Sequence, residues 1–336
     1  MKFLKWTALI LLILIVLYFL GPQPSPPVFD AALPAIPAEP ASLLNYVEQQ
    51  ESRHRLKPDN QARIIWANDT ARARTPWSVV YLHGFSASQE EGDPVHENFA
   101  RRYGCNLYLS RLAEHGIDTT EPLAALTADK LWNSAKEAMT IGNQLGDNLI
   151  LIGTSTGGTL ALQLAATYPD KVKALILLSP NIAINDANAW LLNNHWGLQI
   201  AHLVKGKYNV SSDSSAIYKQ YWNNRYRMEA AVELEELLEK TMHQSLFEKI
   251  TQPVLLLYYY KDEEHQDPVV KVSAMQRMFR QLGTAEGKKK EQALPQTGDH
   301  VIGSHIKSHD LESVQNACNE FAEQILQLIP QKTLPE

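Results

Sequence analysis

The sequence predicts an α/β protein, a mostly parallel, doubly wound sheet with a helical cap, and three observations carry that expectation. Short apolar runs at 78–82, 149–152, 172–178 and 254–260 alternate with segments of helical periodicity. Strands that are apolar on both faces belong to parallel sheets covered by helices on both sides. The stretch NLILIGTSTGG (148–158) leads from one such strand through a glycine-rich bend into a helical pattern. Finally, no convincing strand interrupts 179–251, where helical segments carry Trp190, Trp196, Tyr208, Tyr218, Trp222 and Tyr226. This reads as an insertion of about 182–250 over the carboxyl edge of the sheet, where open α/β sheets bind ligands. Most of its aromatics would pack a small core of its own, and some would line a pocket.

In chain order, residues 1–21 stand outside that fold. Lys2 and Lys5 precede the unbroken apolar run WTALILLILIVLYFL, which at about 1.5 Å per residue is somewhat shorter than a ~30 Å hydrocarbon core. No small-x-small cleavage pattern follows, so the expectation is a retained, single-pass membrane anchor, with secretion after signal cleavage as the alternative. Both lysines lie ahead of the run and the next basic residue is Arg53. The positive-inside rule then keeps the N-terminus cytoplasmic and places the rest on the periplasmic or extracytoplasmic side.

Residues 22–41 hold seven prolines, at 22, 24, 26, 27, 34, 37 and 40, and read as a semi-rigid spacer between bilayer and domain. The folded domain is expected over 42–332. It opens with a short helix presenting Leu43, Leu44 and Val47 on one face, followed by a strand at RIIW (63–66). The strand at 78–82 runs into His83-Gly84-Phe85. A helix at 98–103, a strand at CNLYLSR (105–111) and a long amphipathic helix at 126–145 lead to the glycine-rich bend. Beyond the cap come the strand VLLLYYY (254–260), a helix over 270–282, a strand at 289–294 and a last helix over 311–329.

Composition excludes several classes. Hydrophobic residues make up 45% of the 336 and charged residues 20%, which is ordinary globular material. A formal charge of −6 with no long basic run argues against a nucleic-acid partner. The only basic cluster, Lys288–Lys290, reads as a solvated strand edge. Cys105 and Cys318 are too few for a disulfide scaffold and lack metal-ligand spacing, so they read as small core residues.

The bend at 153–158 supplies the chemistry. GTSTG fits G-x-S-x-G, with Ser155 at the apex of a strand-to-helix turn tight enough to need side-chain-free neighbours. A nucleophilic serine requires a base, an acid to orient that base, and donors for an oxyanion. His300, in PQTGDHVIG after the last strand, is the candidate base, with His305 next and His309 facing solvent. The acid should follow the strand at 254–260. Asp267, opening DPVV, is favoured over Asp262, which lies nearer the strand end but carries no motif. The Thr156 N–H and the Phe85 N–H are the candidate oxyanion donors. His83 reads as a brace for its loop, and histidines 54, 96, 115, 195, 202, 243 and 265 as surface or packing residues.

HGF at 83–85, GTSTGG at 153–158, DPVV at 267–270 and GDH at 298–300 together resemble the α/β-hydrolase superfamily, over about 60–330. The overall pattern is similar to its carboxylesterase, monoacylglycerol-lipase and serine-aminopeptidase-like branch. The resemblance implies a Ser155–His300–Asp267 triad, oxyanion donors at Phe85 and Thr156, and no metal or organic cofactor. A serine at 155 disfavours the branches with an aspartate nucleophile, and the absence of HGGPG lowers the peptidase reading. The activity implied is a serine hydrolase cleaving small-molecule carboxylic esters with an apolar acyl group, attached to a membrane through its N-terminal segment. The alternatives are a thioesterase, amidase or acyltransferase using the same triad, or a non-catalytic binding module on the same fold.

Overall fold

The computed structural model describes residues 2–331. Met1 and Lys332, which begin the expected anchor and end the expected domain, lie outside the described residues. Helix α1 (Lys2–Phe19) touches the cap at its C-terminal end, and its apolar side chains are exposed along its length. It is 18 residues long, about 27 Å at 1.5 Å per residue. Among the described residues no helix is long and apolar enough to cross a membrane. The transmembrane span expected of 1–21 is therefore not supported by the helix itself.

The proline-rich stretch is not a free spacer. Its backbone is strapped to the domain: the Val28 and Phe29 N–H groups donate to Asp129, and Trp132 Nε1 and Lys136 Nζ donate to the Asp30 carbonyl. Phe29 and Ile36 pack on the core. A chain with few free backbone donors still docks when its carbonyls and apolar side chains find partners, which composition alone does not reveal.

The body follows in order: α2 (Pro40–Glu51), β1 (Arg63–Ile65), β2 (Thr75–Leu82), α3 (Val95–Tyr103), β3 (Asn106–Leu109), α4 (Ala128–Leu145), β4 (Gly146–Thr154), α5 (Thr156–Thr167) and β5 (Ala174–Leu178). The cap contains α6 (Gly197–Lys205), β6 (Tyr208–Val210), α7 (Ala216–Tyr221), β7 (Arg225–Arg227), α8 (Met228–Thr241) and α9 (Gln244–Phe247). Then come β8 (Val254–Tyr258), α10 (Val272–Gln281), β9 (Lys289–Ala293) and α11 (Leu311–Gln324). Seven strands form one sheet in the order β1-β3-β2-β4-β5-β8-β9, with β1 antiparallel and the others parallel.

Both faces of the sheet are buried, as the continuous apolar runs require. Leu149, Leu151, Leu175 and Leu177 face α4 and α5 around Trp132 and Met139. Ile150, Ile152, Ile176 and Leu255 face α3 and α11 around Phe99 and Phe321. Cys105 and Cys318 are free and buried in this second layer, and burial pushes both thiols up to about 12. Lys289 and Lys290 lie on the edge strand β9, paired with Glu286 and Glu320.

The cap departs from the all-helical expectation. β6 and β7 form a short antiparallel ribbon, with the Arg225 guanidinium 3.4 Å from the Tyr208 ring centroid. Three-residue strands with one face on a cation–aromatic stack carry no two-residue apolar alternation, so they have no periodic signature to read. Arg227 pairs with Glu121 of the body and Glu229 of α8, which ties the ribbon down.

Candidate active site

Strand order creates the crevice. After β2 the chain crosses to β3 on one side, and after β4 it crosses to β5 on the other. The loops leaving these adjacent strands diverge and open a gap at the carboxyl edge. Leu82 pairs with Gly153 at the strand ends, which sets His83–Phe85 beside Thr154–Thr156.

Ser155 occupies the apex of the β4–α5 turn with φ 52° and ψ −120°. A non-glycine residue held there costs about 1–3 kcal/mol and persists only where its surroundings enforce it. The Ser155 N–H donates to the Leu178 carbonyl at 3.0 Å, and its carbonyl accepts the Asn181 N–H at 2.9 Å. The glycines are required by contact. A Cβ on Gly153 would lie 2.6 Å from the Gly157 oxygen, one on Gly158 2.6 Å from Pro180 Cβ, and one on Gly157 would collide with the Leu82 carbonyl. The Ser155 hydroxyl has no hydrogen-bond partner among the described residues, and Ser155 lines a cavity of about 780 Å³ shared with His300 and Phe85.

His300 and Asp267 come together from different loops. His300 Nδ1 lies 2.6 Å from Asp267 Oδ2, so the shared proton fixes the tautomer that leaves Nε2 as an acceptor. Asp267 Oδ1 accepts the Val269 and Val270 N–H groups at 2.8 and 3.0 Å. The long loop before Asp267 is pinched at its neck: Tyr260 bridges Gln266, and the Asp267 N–H donates to the Tyr259 carbonyl at 3.2 Å. Asp267 thus emerges at the end of β8 despite its distance in sequence. Asp262 lies out in the excursion, exposed, with Oδ1 2.8 Å from His265 Nδ1.

Burial favours the neutral forms of both partners, but their mutual attraction outweighs it. Asp267 stays below the usual carboxylate range, because the His300 charge and hydrogen bond and the two valine N–H groups overcome desolvation. His300 is raised above the usual imidazole value: desolvation opposes, while Asp267, Glu91 and Asp299 hold the proton on.

Of the candidate oxyanion donors, Phe85 lines the same cavity and Thr156 directly follows Ser155. Thr156 opens α5, where a helix leaves its first N–H groups unpaired. Neither the Thr156 nor the Phe85 N–H finds an acceptor among the described residues. The loop bearing Phe85 is braced by two buried neutral histidines. His83 Nδ1 meets the Gly84 carbonyl at 2.9 Å and its Nε2 accepts the Leu112 N–H at 3.0 Å. His115 Nε2 accepts the Ser86 N–H at 3.0 Å. Burial, and for His83 the neighbouring His115, pushes both rings down, His115 to about 4.

Sequence reasoning read His115 only as a surface or packing residue and did not single out Glu91. Glu91 is buried, lines the cavity and accepts the Gly84 N–H. No local pattern marks a 3₁₀ turn (Gln89–Gly92) that points one carboxyl inward and leaves its neighbour near the surface. His305 lies away from the cavity, with Nδ1 3.2 Å from Asp93 Oδ2 and Nε2 3.9 Å from Glu90 Oε1. His309 is exposed.

The cavity roof belongs to the cap. Ile184, Leu191, Ile200, Val204 and Leu234 supply apolar lining together with Val269 of the body. Phe85 meets Tyr226 edge-on at 5.2 Å between ring centroids. Tyr218 stacks on Trp222 at 5.1 Å, and Lys307 pairs with Asp213 at the rim.

Residues 77–300 match the family model Hydrolase_4, serine aminopeptidase, S33. An abhydrolase domain-containing protein of Schizosaccharomyces pombe is 25% identical over 211 residues, which is 53% of this chain and 56% of that protein. A pimeloyl-(acyl-carrier protein) methyl ester esterase of Citrobacter koseri is 26% identical over 112 residues, 33% of this chain and 40% of that one. The chain thus spans about half the length of the first relative and less of the second. Among solved structures, one of the metagenome-derived lipolytic enzymes LipS and LipT superposes with a TM-score of 0.63 at 18% identity, covering 80% of this chain and 98% of its own. The monoacylglycerol lipase of Paleococcus ferrophilus gives 0.57 at 16% identity, covering 78% and 98%. At these identities the likeness to solved structures is one of fold. The family match over most of the body, together with the seven-stranded sheet, shows that the chain belongs to the serine aminopeptidase, S33, family of the α/β-hydrolase superfamily.

Proposed function

We propose that this chain is a serine hydrolase that cleaves carboxylic esters through an acyl-enzyme intermediate. One observation carries the reading: a buried His300–Asp267 pair opens onto the cavity in which Ser155 sits on an enforced positive-φ turn between two unpaired N–H groups. Ser155 Oγ attacks the ester carbonyl as His300 Nε2 takes its proton, and Asp267 holds the Nδ1–H and stabilises the imidazolium. The Phe85 and Thr156 N–H groups receive the oxyanion, each contributing ~3 kcal/mol. His300 then protonates the departing alcohol. Water, deprotonated by the same ring, attacks the acyl-enzyme and releases the acid. A cavity of about 780 Å³ with an apolar roof suits an apolar acyl group. The esterase and lipolytic activities named for the similar proteins point the same way.

A fluorophosphonate probe should label wild-type protein at Ser155, and Ser155→Ala should abolish labelling and lower kcat by ~10⁴-fold or more while the fold persists. Wild-type protein that takes up no label would sink the proposal. An amide substrate is the second reading, favoured by the aminopeptidase description of the family. Matched ester, thioester and amide substrates on one acyl group separate the two by their kcat/KM.

The proposal includes attachment to a membrane through α1. Its exposed apolar side chains need a covering that the domain does not provide, and a short helix is accommodated by local bilayer thinning at modest cost. The lysines ahead of the apolar run support an extracytoplasmic domain by the positive-inside rule.

A further inference from the structure

Among the described residues, Glu91 is the one buried acid lining the cavity that the reaction at Ser155 leaves without a task. Its side chain is 2% exposed as a residue, and Oε2 accepts the Gly84 N–H. A Cβ built on Gly84 would lie 2.7 and 2.8 Å from the two Glu91 oxygens and 3.0 Å from Ser155 Cβ. The carboxyl group therefore sits under the loop that carries Phe85, one residue from the donor and beside the candidate nucleophile. A buried N–H without an acceptor is costly, so Gly84 stays turned toward Glu91. With the Gly84 N–H committed there, the next N–H along the chain is free of it. The loop is held from its other side by His83 on the Gly84 carbonyl and by His115 on the Ser86 N–H.

We propose that Glu91 is a positioning residue for the reaction at Ser155: its buried carboxyl group clamps the Gly84 N–H and so leaves the Phe85 N–H aimed into the cavity for the oxyanion. The inference rests on the serine-hydrolase reading above. Protonation should matter as well as position. Burial pushes this carboxyl up to about 7; the Gly84 N–H, His300 and Trp222 oppose the rise, and Asp299 adds to it. The titratable groups around it are Tyr81 on β2, His300 and Asp299 in the loop after β9 and Tyr218 on α7, with the Trp222 side chain beside it as a hydrogen-bond partner. A neutral carboxylic acid still accepts the Gly84 N–H. An ionised one adds a negative charge beside the place where the substrate oxygen becomes negative, which opposes the reaction.

The test compares full-length wild type, Glu91→Gln and Glu91→Leu with a small chromogenic ester across pH, with fluorophosphonate labelling as a separate measurement. Glu91→Gln keeps an acceptor for Gly84. It is expected to match wild-type kcat below pH 7 and to outperform wild type above it, because the alkaline fall in kcat/KM needs an ionisable group at 91. Glu91→Leu leaves Gly84 unpaired and is expected to lose on the order of 10- to 100-fold in kcat with KM changed about twofold or less. If Glu91→Leu does not fold, the alkaline limb of Glu91→Gln decides the matter alone. Wild-type kcat in a folded Glu91→Leu, or an alkaline limb unchanged in Glu91→Gln, overturns the proposal. A wild type that neither labels nor turns over ester instead overturns the serine-hydrolase reading.

Discussion

On the proposed mechanism, the His300–Asp267 contact ties activity and pH together at the scale of single residues. A protonated His300 could not take the serine proton, so kcat/KM is expected to fall as pH drops through its ionisation. Because Asp267 and its neighbours raise that ionisation, the midpoint of the acid limb is expected above the ordinary imidazole value of about 6.5. Asp267→Asn removes the charge that outweighs desolvation. The midpoint should then move below the wild-type value, and kcat should fall on the order of 10⁴-fold from loss of the correct tautomer. A pH–rate profile of both proteins checks the two effects together; an unmoved midpoint would disconnect Asp267 from the base. The same pair shapes stability. The raised His300 contributes below about 6.5 and its share is lost as pH climbs through the raised value. The lowered Asp267 contributes above about 3.9 and its share is lost as pH falls through the lowered value. Their joint contribution is fullest between those two ordinary values.

At the scale of elements, the β4–α5 turn depends on close backbone approach as much as on Ser155. Gly157→Ala places a methyl group on the Leu82 carbonyl. Backbone atoms cannot move aside as a side chain would, so the cost should exceed the ~1–3 kcal/mol of ordinary over-packing. Thermal melts and ester turnover are expected to fall together, and an unchanged melting temperature would mean the turn is looser than described. This turn was legible in the sequence because its glycines, serine and flanking apolar strand are contiguous. The parallel core was legible for the same reason: Ile150–Ile152 and Leu175–Leu177 are apolar on both faces. Contacts made between distant segments left no such trace. The pinched neck at Tyr260–Gln266, which returns Asp267 to the strand end, depends on a bridge between residues with no special composition. The β6–β7 ribbon depends on Arg225 meeting Tyr208 across sixteen residues of cap, and Glu91 on a single 3₁₀ turn.

For the whole molecule, the N-terminal helix and the cap are physically joined. Trp196 Nε1 donates to the Leu17 and Tyr18 carbonyls at 3.0 and 3.1 Å, the His195 ring lies edge-on to Tyr18 and Phe19, and the Trp196 N–H donates to the Pro22 carbonyl. With the proline-rich strap bound to α4, the domain is drawn toward the end of α1 rather than held away from it. If α1 lies in a membrane, the cap side of the domain then faces that membrane at short range. Among the described residues none of α1 lines the cavity, so attachment and chemistry should be separable. Full-length protein is expected to stay in the membrane fraction through a carbonate wash. A variant lacking residues 2–20 is expected in the soluble fraction, with its kcat/KM for a small soluble ester at the full-length value. Recovery of the full-length chain in the soluble fraction without detergent would rule out attachment through α1. A truncated protein that is soluble but slow would show instead that the grip of Trp196 on the helix end sets the position of the cap.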